Sequence, residues 1–231
     1  MTELLASPLV APPFDSIVVA LVHPSADLID TLLPEELALI AESTSKTRRT
    51  TFAAGREAAH KALCQLETNY TPTAILRTET GAPIFPAHIR GSISHSDRLG
   101  CAAVSKNPKI LGVGIDTEVL NRKLSPRVIE RISTETERAA YAAIDTEESN
   151  VWLRIFCAKE ALFKACYQYI QRDFSFVDVD VIFNNANSAH VHAGPAMRQR
   201  LEERCPKGTQ LALDLREERG AIIIVAALYR L

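Results

Sequence analysis

Charged residues interrupt a strongly apolar segment in the second half of the chain. Residues 151–169 read VWLRIFCAKEALFKACYQY and contain Lys159, Glu160 and Lys164. A helix that is apolar on nearly all sides is normally buried, so these charges need partners. One interpretation is an ordinary ion pair between Glu160 and Lys164, which stabilises an exposed helix by about 0.3–0.5 kcal/mol. The other is a bound metal ion with phosphate groups, which would supply both signs of charge, and the helix alone favours neither.

Two carboxylates follow a second apolar run, LGVGIDTEV at residues 111–119. Asp116 and Glu118 are separated by one residue, so in a strand they lie on the same side. Two such carboxylates repel each other and are best stabilised by a hard cation. Magnesium fits because it binds few protein oxygens and commonly bridges carboxylates to a substrate's phosphates. A solvated strand face gives the same spacing, as we expect for Asp178 and Asp180 in FVDVDVIF.

An arginine lies on the apolar stripe of the helix predicted for residues 51–67, behind a threonine cap. Arg56 is four residues after Phe52 and three before Ala59 on that stripe. A buried carboxylate could pair with it, and a phosphate suits the guanidinium fork equally well. Arg48 lies eight residues earlier and would reach the same side if the helix began that early.

Histidines supply the remaining candidates. Ser94 and His95 end a short strand in GSISHSD, a segment that does not resemble the nucleophile elbow of hydrolases. A lone histidine is more often structural than functional. His190 and His192 show no third ligand, so we interpret them as strand surface.

The elements that must position these residues mix helices and strands without regular alternation, which predicts an α+β fold. Strands are expected near 17–23, 91–94, 100–105, 111–116 and 176–183, with two more at the C-terminus. Helices are expected at 34–42, 51–67 and 150–170. Each half holds a long helix and several strands, so we predict two similar side-by-side lobes, 1–112 and 113–231. Each would be a small, mainly antiparallel sheet with a long helix, and the active site would lie at the lobe interface.

Composition excludes several classes of protein. The 231 residues are 47% hydrophobic and 23% charged with net charge −2, which fits a globular protein and gives no broad basic field for nucleic acid or a membrane surface. The longest apolar run, 221–229, is too short to span a membrane. Five scattered cysteines without a C-x-x-C pair fit a reducing cytoplasm, and the first residues lack a secretion signal. We therefore expect a cytoplasmic protein. We also expect it to be a monomer.

The combined motifs resemble the signature of the Sfp-type 4′-phosphopantetheinyl transferases, nearest the branch of siderophore-synthase-activating enzymes, and the resemblance spans roughly residues 30–170. The matching segments, in order, are R48-x7-R56, S94-H95, G114-I115-D116-x-E118 and F156-C157-A158-K159-E160-A161-x-x-K164.

This resemblance implies a role for each matched residue. Asp116, Glu118 and Glu160 would hold magnesium, or manganese, against the pyrophosphate of coenzyme A. Lys164 would contact the phosphate nearest the bond that breaks. The remaining predicted coenzyme A contacts are Arg48, Arg56, Ser94, His95, the turn Gly81, Ala82 and Pro83, and Lys159, which would bind coenzyme A or brace its neighbours.

Two departures from the family pattern affect this assignment. Many relatives have a basic residue near the turn, where this chain has Thr80 and Ala82, so one phosphate contact is missing. Cys157 replaces the more common serine, a mild change, and we do not interpret it as a nucleophile.

The resemblance implies transfer of 4′-phosphopantetheine from coenzyme A to a serine of an apo acyl or peptidyl carrier protein, with release of adenosine 3′,5′-bisphosphate. Non-ribosomal peptide, polyketide and siderophore synthesis use such carriers. Glu160, or a water held by the metal, would accept the serine proton. The alternatives are a magnesium-dependent nucleotide pyrophosphohydrolase and a non-catalytic coenzyme A-binding module.

A basic stretch is the candidate docking surface for the carrier, because such carriers are usually acidic helical bundles. Residues 121–131 contain Arg122, Lys123, Arg127 and Arg131. A solvated helix face is the competing interpretation.

Overall fold

The chain folds into two compact units, Met1–Pro108 and Lys109–Leu231. The computed structural model describes residues 3–4, 12–41, 44–143, 150–184 and 188–231. The division lies a few residues before the predicted one and leaves strand β5, Ile110–Val119, whole within the second unit.

The first unit contains a four-stranded antiparallel sheet and one long helix. The strand order is β1-β2-β4-β3. Its strands are β1 (Glu3–Leu4), β2 (Val18–Val22), β3 (Arg90–His95) and β4 (Gly100–Ser105), and its helices are α1 (Pro34–Leu37) and α2 (Lys46–Leu66), with 3-10 turns at Phe14–Ser16 and Ala26–Thr31.

Helix α2 begins earlier than its sequence pattern predicted. The Ser45 hydroxyl accepts a hydrogen bond from the Arg48 backbone N–H at 3.3 Å, so Ser45 caps the helix and the predicted threonine cap is wrong. Arg48 is therefore helical and, eight residues from Arg56, lies on roughly the same side of α2. The helix predicted at 34–42 is also shorter, since α1 ends at Leu37; Glu42 lies outside the described residues.

Glycine lets α2 pack directly on the sheet. A Cβ at Gly100 of β4 would lie 2.4 Å from the Ala54 carbonyl carbon, and one at Gly55 would lie 2.9 Å from Ile93 Cγ2. Helix and strands therefore touch through backbone. This close packing fixes the residues that flank Gly55 relative to the end of β3.

The second unit contains a three-stranded antiparallel sheet, a two-stranded hairpin and one long helix. The sheet order is β5-β9-β8, and β6 pairs with β7. Its elements are β5, α3 (Pro126–Ile132), α4 (Glu135–Ala140), α5 (Val151–Ile170), β6 (Val179–Phe183), β7 (Ala189–Ala193), α6 (Pro195–Arg204), β8 (Thr209–Glu218) and β9 (Ala221–Arg230), with 3-10 turns at Gln171–Asp173 and Phe176–Asp178. The predicted α+β class with small antiparallel sheets is confirmed.

Two glycines bring α5 against β5. A Cβ at Gly112 would lie 2.0 Å from the Ala165 carbonyl oxygen, and one at Gly114 would lie 1.8 Å from that of Ala161. Only glycine permits this approach. Because alternate strand residues share a face, Asp116 continues the face that β5 turns toward α5.

The hairpin and its surroundings differ in detail from the sequence expectation. The predicted strand at 176–183 begins with the turn Phe176–Asp178, and only Val179–Phe183 is extended. His190 and His192 are exposed on β7, as strand-surface residues should be. Across the residues described, helices are all too short or too polar to cross a membrane.

Candidate active site

Three carboxylates gather where β5 and α5 pack together. Asp116 is only 6% exposed, while Glu118 on β5 and Glu160 on α5 are partly buried. Burial raises the pKa of Glu160, and the negative charges of Asp116 and Glu118 raise it further. Burial also raises the pKa of Glu118, to which the charge of Asp116 adds. The three acidic groups thus lie within electrostatic reach of one another.

Two cations bind this acidic group. Lys164 Nζ lies 2.7 Å from Asp116 Oδ1 and 2.9 Å from the Ile115 carbonyl oxygen. Arg122 donates a hydrogen bond to Glu118 and also stacks over the Phe156 ring, with its guanidinium carbon 4.9 Å from the ring centroid. Lys164 and Arg122 therefore offset two of the three negative charges.

Glu160 differs from the other two carboxylates. Within the described ranges, its side chain makes neither a hydrogen bond nor an ion pair. Lys164 and Arg122 attract it only through their charges, so this half-buried carboxylate of raised pKa is suited to accept a proton or bind a cation.

The donor chemistry of this acidic group fits a hard divalent cation, although the side chains are not arranged around one point. In the part of the chain that the structure describes, no three His, Cys, Asp or Glu side chains are placed to hold a metal ion together. Three clustered carboxylates, two of them with raised pKa, are nevertheless the kind of oxygen donor set that magnesium stabilises. To bind the ion, Glu118 would have to give up its contact with Arg122. Asp116 would likewise have to give up its contact with Lys164.

Cys157 lies beside this group as a neutral thiol. It is fully buried, and burial, followed by the charge of Asp116 and the hydrogen bond to it, raises its pKa well above the ordinary value. A thiol of raised pKa is a poor nucleophile. The structure thus agrees with leaving Cys157 out of the chemistry.

Lys159 points into the protein interior. It is 0% exposed, and its ammonium donates to the Ile132 carbonyl oxygen at 2.7 Å, Glu137 Oε2 at 2.8 Å and the Phe176 carbonyl oxygen at 2.8 Å. An ammonium has three donors, and all three are used. The predicted contact of Lys159 with coenzyme A is therefore corrected: the residue braces α5 from within.

In the first unit, a buried arginine offers a second candidate site. Arg56 is 6% exposed and lies 4.5 Å above the Phe52 ring centroid. Burial lowers its pKa to about 10; the nearby positive charge of Arg77 contributes to this, and Glu36 opposes it. Among the described residues, Arg56 Nε is buried without a hydrogen-bond partner. A buried cation in this state favours an anionic ligand.

The other predicted residues of the first unit surround α2 and β3. Ser94 is buried and His95 is exposed at the end of β3, where His95 Cδ2 lies 3.6 Å from a Cβ placed at Gly55. His95 is therefore adjacent to the helix position before Arg56. Arg48 is exposed about two turns upstream of Arg56 on α2.

The predicted turn is a tight exposed bend. Gly81 has φ +93°, a left-handed conformation that favours glycine, and its N–H donates to the Thr78 carbonyl oxygen at 2.9 Å. The Ala82 carbonyl oxygen accepts from the Thr78 N–H at 2.8 Å, and Pro83 bridges to Arg77. Arg77 is the basic residue nearest in sequence to this turn.

Two residues of these groups had not been predicted in their observed roles. Arg122, assigned to carrier docking, pairs with Glu118, and the signal was its spacing of four residues from that carboxylate. Glu137, which receives Lys159, was not singled out, and its signal was the capping box of Thr134 and Glu137 at the start of α4.

Clustered carboxylates beside a lysine are typical of proteins that bind a divalent cation with phosphate groups. Two family models match this chain: the 4'-phosphopantetheinyl transferase N-terminal domain over residues 35–105 and the 4'-phosphopantetheinyl transferase superfamily over residues 112–214.

Curated relatives extend the match. The chain is 36% identical over 152 residues to 4'-phosphopantetheinyl transferase Npt of Nocardia iowensis, covering 65% of this chain and 65% of that protein. It is 31% identical over 151 residues to enterobactin synthase component D of Escherichia coli O157:H7, covering 65% of this chain and 69% of that protein. The match spans just under two thirds of the first relative's length.

A solved structure is also similar. Holo-[acyl-carrier-protein] synthase from Neisseria meningitidis matches with 24% identity and a TM-score of 0.44, over 52% of this chain and 99% of that one. The chain belongs to the 4'-phosphopantetheinyl transferase superfamily. The predicted family is confirmed.

Proposed function

We propose that this protein transfers 4′-phosphopantetheine from coenzyme A to a serine hydroxyl of an apo acyl or peptidyl carrier protein. The observation that carries the proposal is the gathering of Asp116, Glu118 and Glu160 beside Lys164, in a member of this superfamily. Such a group of charges suits a metal-bound diphosphate, and coenzyme A contains a diphosphate.

The reaction exchanges one phosphorus–oxygen bond for another. The serine oxygen attacks the phosphorus on the pantetheine side of the diphosphate, and the bond from that phosphorus to the bridging oxygen breaks. Adenosine 3′,5′-bisphosphate leaves with the electron pair, and the serine gives up its proton. Steps of this kind depend mainly on positioning and charge neutralisation.

Residues of the second unit divide this work. We assign Glu160 as the acceptor of the serine proton, since burial raises the pKa of this carboxyl in the metal-free protein. Lys164, already seated beside Asp116, neutralises charge on the phosphate at the reacting bond. Asp116, Glu118 and Glu160 would hold magnesium, which would supply further neutralisation of the diphosphate oxygens.

Residues of the first unit bind the remaining phosphates. Arg56 is the strongest candidate, since its buried guanidinium gains an anionic partner on binding. Arg48, Ser94 and His95 complete a polar group along α2 and the end of β3. The turn Gly81, Ala82 and Pro83 contacts the nucleotide through its exposed backbone and small side chains.

Intact mass measurement tests the proposal. The purified protein is incubated with coenzyme A, an apo carrier protein and magnesium, and both products are followed. Transfer predicts that the carrier gains one 4′-phosphopantetheine while adenosine 3′,5′-bisphosphate appears in equal amount. Release of the bisphosphate without carrier would indicate a pyrophosphohydrolase, and binding of coenzyme A with no product would indicate a binding module. Either result would contradict the proposal.

Carrier docking on the basic stretch gives a separate prediction. Lys123, Arg127 and Arg131 are exposed around α3, whereas Arg122 contacts Glu118 and is unsuitable as a docking probe. The double charge reversal Arg127→Glu with Arg131→Glu should raise KM for an acidic carrier about tenfold at low salt and leave kcat within about twofold. Initial rates over a carrier titration measure both constants.

Arg198→Glu on α6 is the matched control, since it reverses another exposed arginine of the same unit. We expect the control to keep the wild-type KM. Equal KM values for the double reversal and the control would remove this docking surface from the account.

A further inference from the structure

The second unit contains a buried ion pair whose hydrogen bonds extend well beyond the cap of helix α4. Lys159 and Glu137 are both 0% exposed, and their charged atoms lie 2.8 Å apart. Each is also bonded to backbone, and together they join parts of the chain that are distant in sequence. The roles assigned so far to Glu160 and Lys164 make no use of this pair.

Glu137 is the hub on one side. Its Oε2 accepts from Lys159 and from the Thr134 N–H at 2.8 Å, and its Oε1 accepts from the Val181 N–H at 2.8 Å. The Thr134 hydroxyl donates to Asp180 at 2.6 Å. The start of α4 and strand β6 are therefore held by one carboxylate.

Lys159 connects α5 to two further segments of the second unit. Its ammonium reaches the Ile132 carbonyl oxygen, at the end of α3, and the Phe176 carbonyl oxygen, at the turn before β6. Helix α3 lies in the basic stretch assigned to carrier docking. The next residue on α5 is Glu160, and Lys164 follows about one turn later. One ammonium thus contacts the docking segment and belongs to the reactive helix.

This ion pair differs from an apolar core contact because its hydrogen bonds are directional. Buried ion pairs add little stability compared with apolar residues of similar volume, because both charges lose their hydration. Hydrogen bonds to three fixed acceptors, in contrast, define where the ammonium lies and how α5 is rotated about its axis. The rotation of α5 in turn sets the directions of its neighbouring side chains.

We propose that Lys159 and Glu137 form a positioning pair for the transfer reaction. The pair holds α5 in the rotation that turns Glu160 and Lys164 toward β5, and it fixes the end of α3 relative to that helix. The substrate hydroxyl presented by a carrier docked on α3 is thereby held in register with Glu160. This inference rests on the proposed function, and neither residue is expected to touch coenzyme A.

The double variant Lys159→Met with Glu137→Gln tests the pair. It removes both charges together, so neither an unpaired charge nor a large cavity remains, and the glutamine oxygen still accepts one of the two backbone N–H groups that Glu137 binds. We expect kcat to fall at least tenfold at saturating carrier, with KM for coenzyme A within about threefold of wild type. Each single variant should lower Tm more than the double variant, because it leaves one buried charge unpaired.

Met197→Ala on α6 is the matched control, because it makes a cavity in the core of the same unit without touching the pair. When each protein is assayed at the same temperature interval below its own Tm, this control should keep the wild-type kcat. Wild-type kcat in the double variant, or an equal loss of kcat in Met197→Ala, would overturn the positioning role.

Hydrogen–deuterium exchange separates failure of this inference from failure of the proposed function. Faster exchange in Pro126–Ile132 and Val151–Ile170 is expected in the double variant but not in Met197→Ala. If the wild type transfers nothing, the proposed function is wrong. The exchange result still tests whether the positioning pair holds α3 and α5: unchanged exchange in the double variant overturns this, and the expected increase supports it.

Discussion

Glu160→Gln should lower kcat for carrier modification about 10³-fold at saturating magnesium and coenzyme A. The substitution keeps the side-chain shape but removes the one carboxylate of the acidic group that makes no direct ion pair in the described structure. It removes the proposed proton acceptor, an effect of about 10² to 10⁴, together with one oxygen ligand for the cation. Single-turnover mass measurement of the carrier gives the rate. Near-normal turnover would contradict both roles of Glu160.

The stability of the same variant shows whether lost activity reflects lost folding. Burial raises the pKa of Glu160 above its ordinary value of 4.5, so the folded protein holds this proton at pH values where the unfolded chain has released it. Stability of the metal-free wild type therefore falls as pH rises through the interval between the two pKa values, and it stays lower above that interval. Glutamine lacks this titration, so Glu160→Gln should melt at or above the wild-type Tm at pH 7. Glu203→Gln, at an exposed position of α6, is the matched control and should leave both Tm and kcat unchanged.

Arg56→Met should raise KM for coenzyme A about 10- to 150-fold while changing kcat much less. Hydrogen bonds to a charged partner contribute about 1.5–3 kcal/mol, which corresponds to this range of affinity. Methionine fills similar space over Phe52 without a buried charge. Because the guanidinium is buried and its Nε has no partner among the described residues, the variant should also be at least as stable as the wild type.

Lys61→Met is the matched control for Arg56→Met. It removes a partly exposed positive charge from the same helix, where Lys61 pairs with Glu57 at 2.7 Å. Isothermal titration with coenzyme A and thermal unfolding measure both expectations. Similar coenzyme A affinity in Arg56→Met and Lys61→Met would show that Arg56 binds no phosphate.

Local pattern predicted the elements that carry the acidic group but not all of their limits. The apolar run before Asp116 and the dense apolar helix around Glu160 correspond to β5 and α5 within a few residues. The start of α2 was missed because its first turn is polar and offers several hydroxyl residues, so Ser45 could not be chosen over the threonines without the backbone geometry.

Long-range contacts account for what the sequence did not predict. Lys159 lies beside Glu160 in the motif, and this adjacency suggested that both contact one ligand. The rotation of the helix instead turns Lys159 into the core, where it pairs with Glu137, 22 residues away in sequence. Arg122 was grouped with the basic stretch by composition, whereas the turn after β5 brings it back to Glu118. Such pairings depend on tertiary packing, which periodicity does not encode.

Manganese titration tests the central claim most directly, namely that Asp116, Glu118 and Glu160 bind one divalent cation together with the diphosphate of coenzyme A. Electron paramagnetic resonance counts free manganese as protein is added, with and without coenzyme A. We predict one tight site per wild-type chain that strengthens when coenzyme A is present, and at least tenfold weaker binding in Asp116→Asn, Glu118→Gln and Glu160→Gln. Equal manganese affinity in the wild type and all three variants would contradict the account.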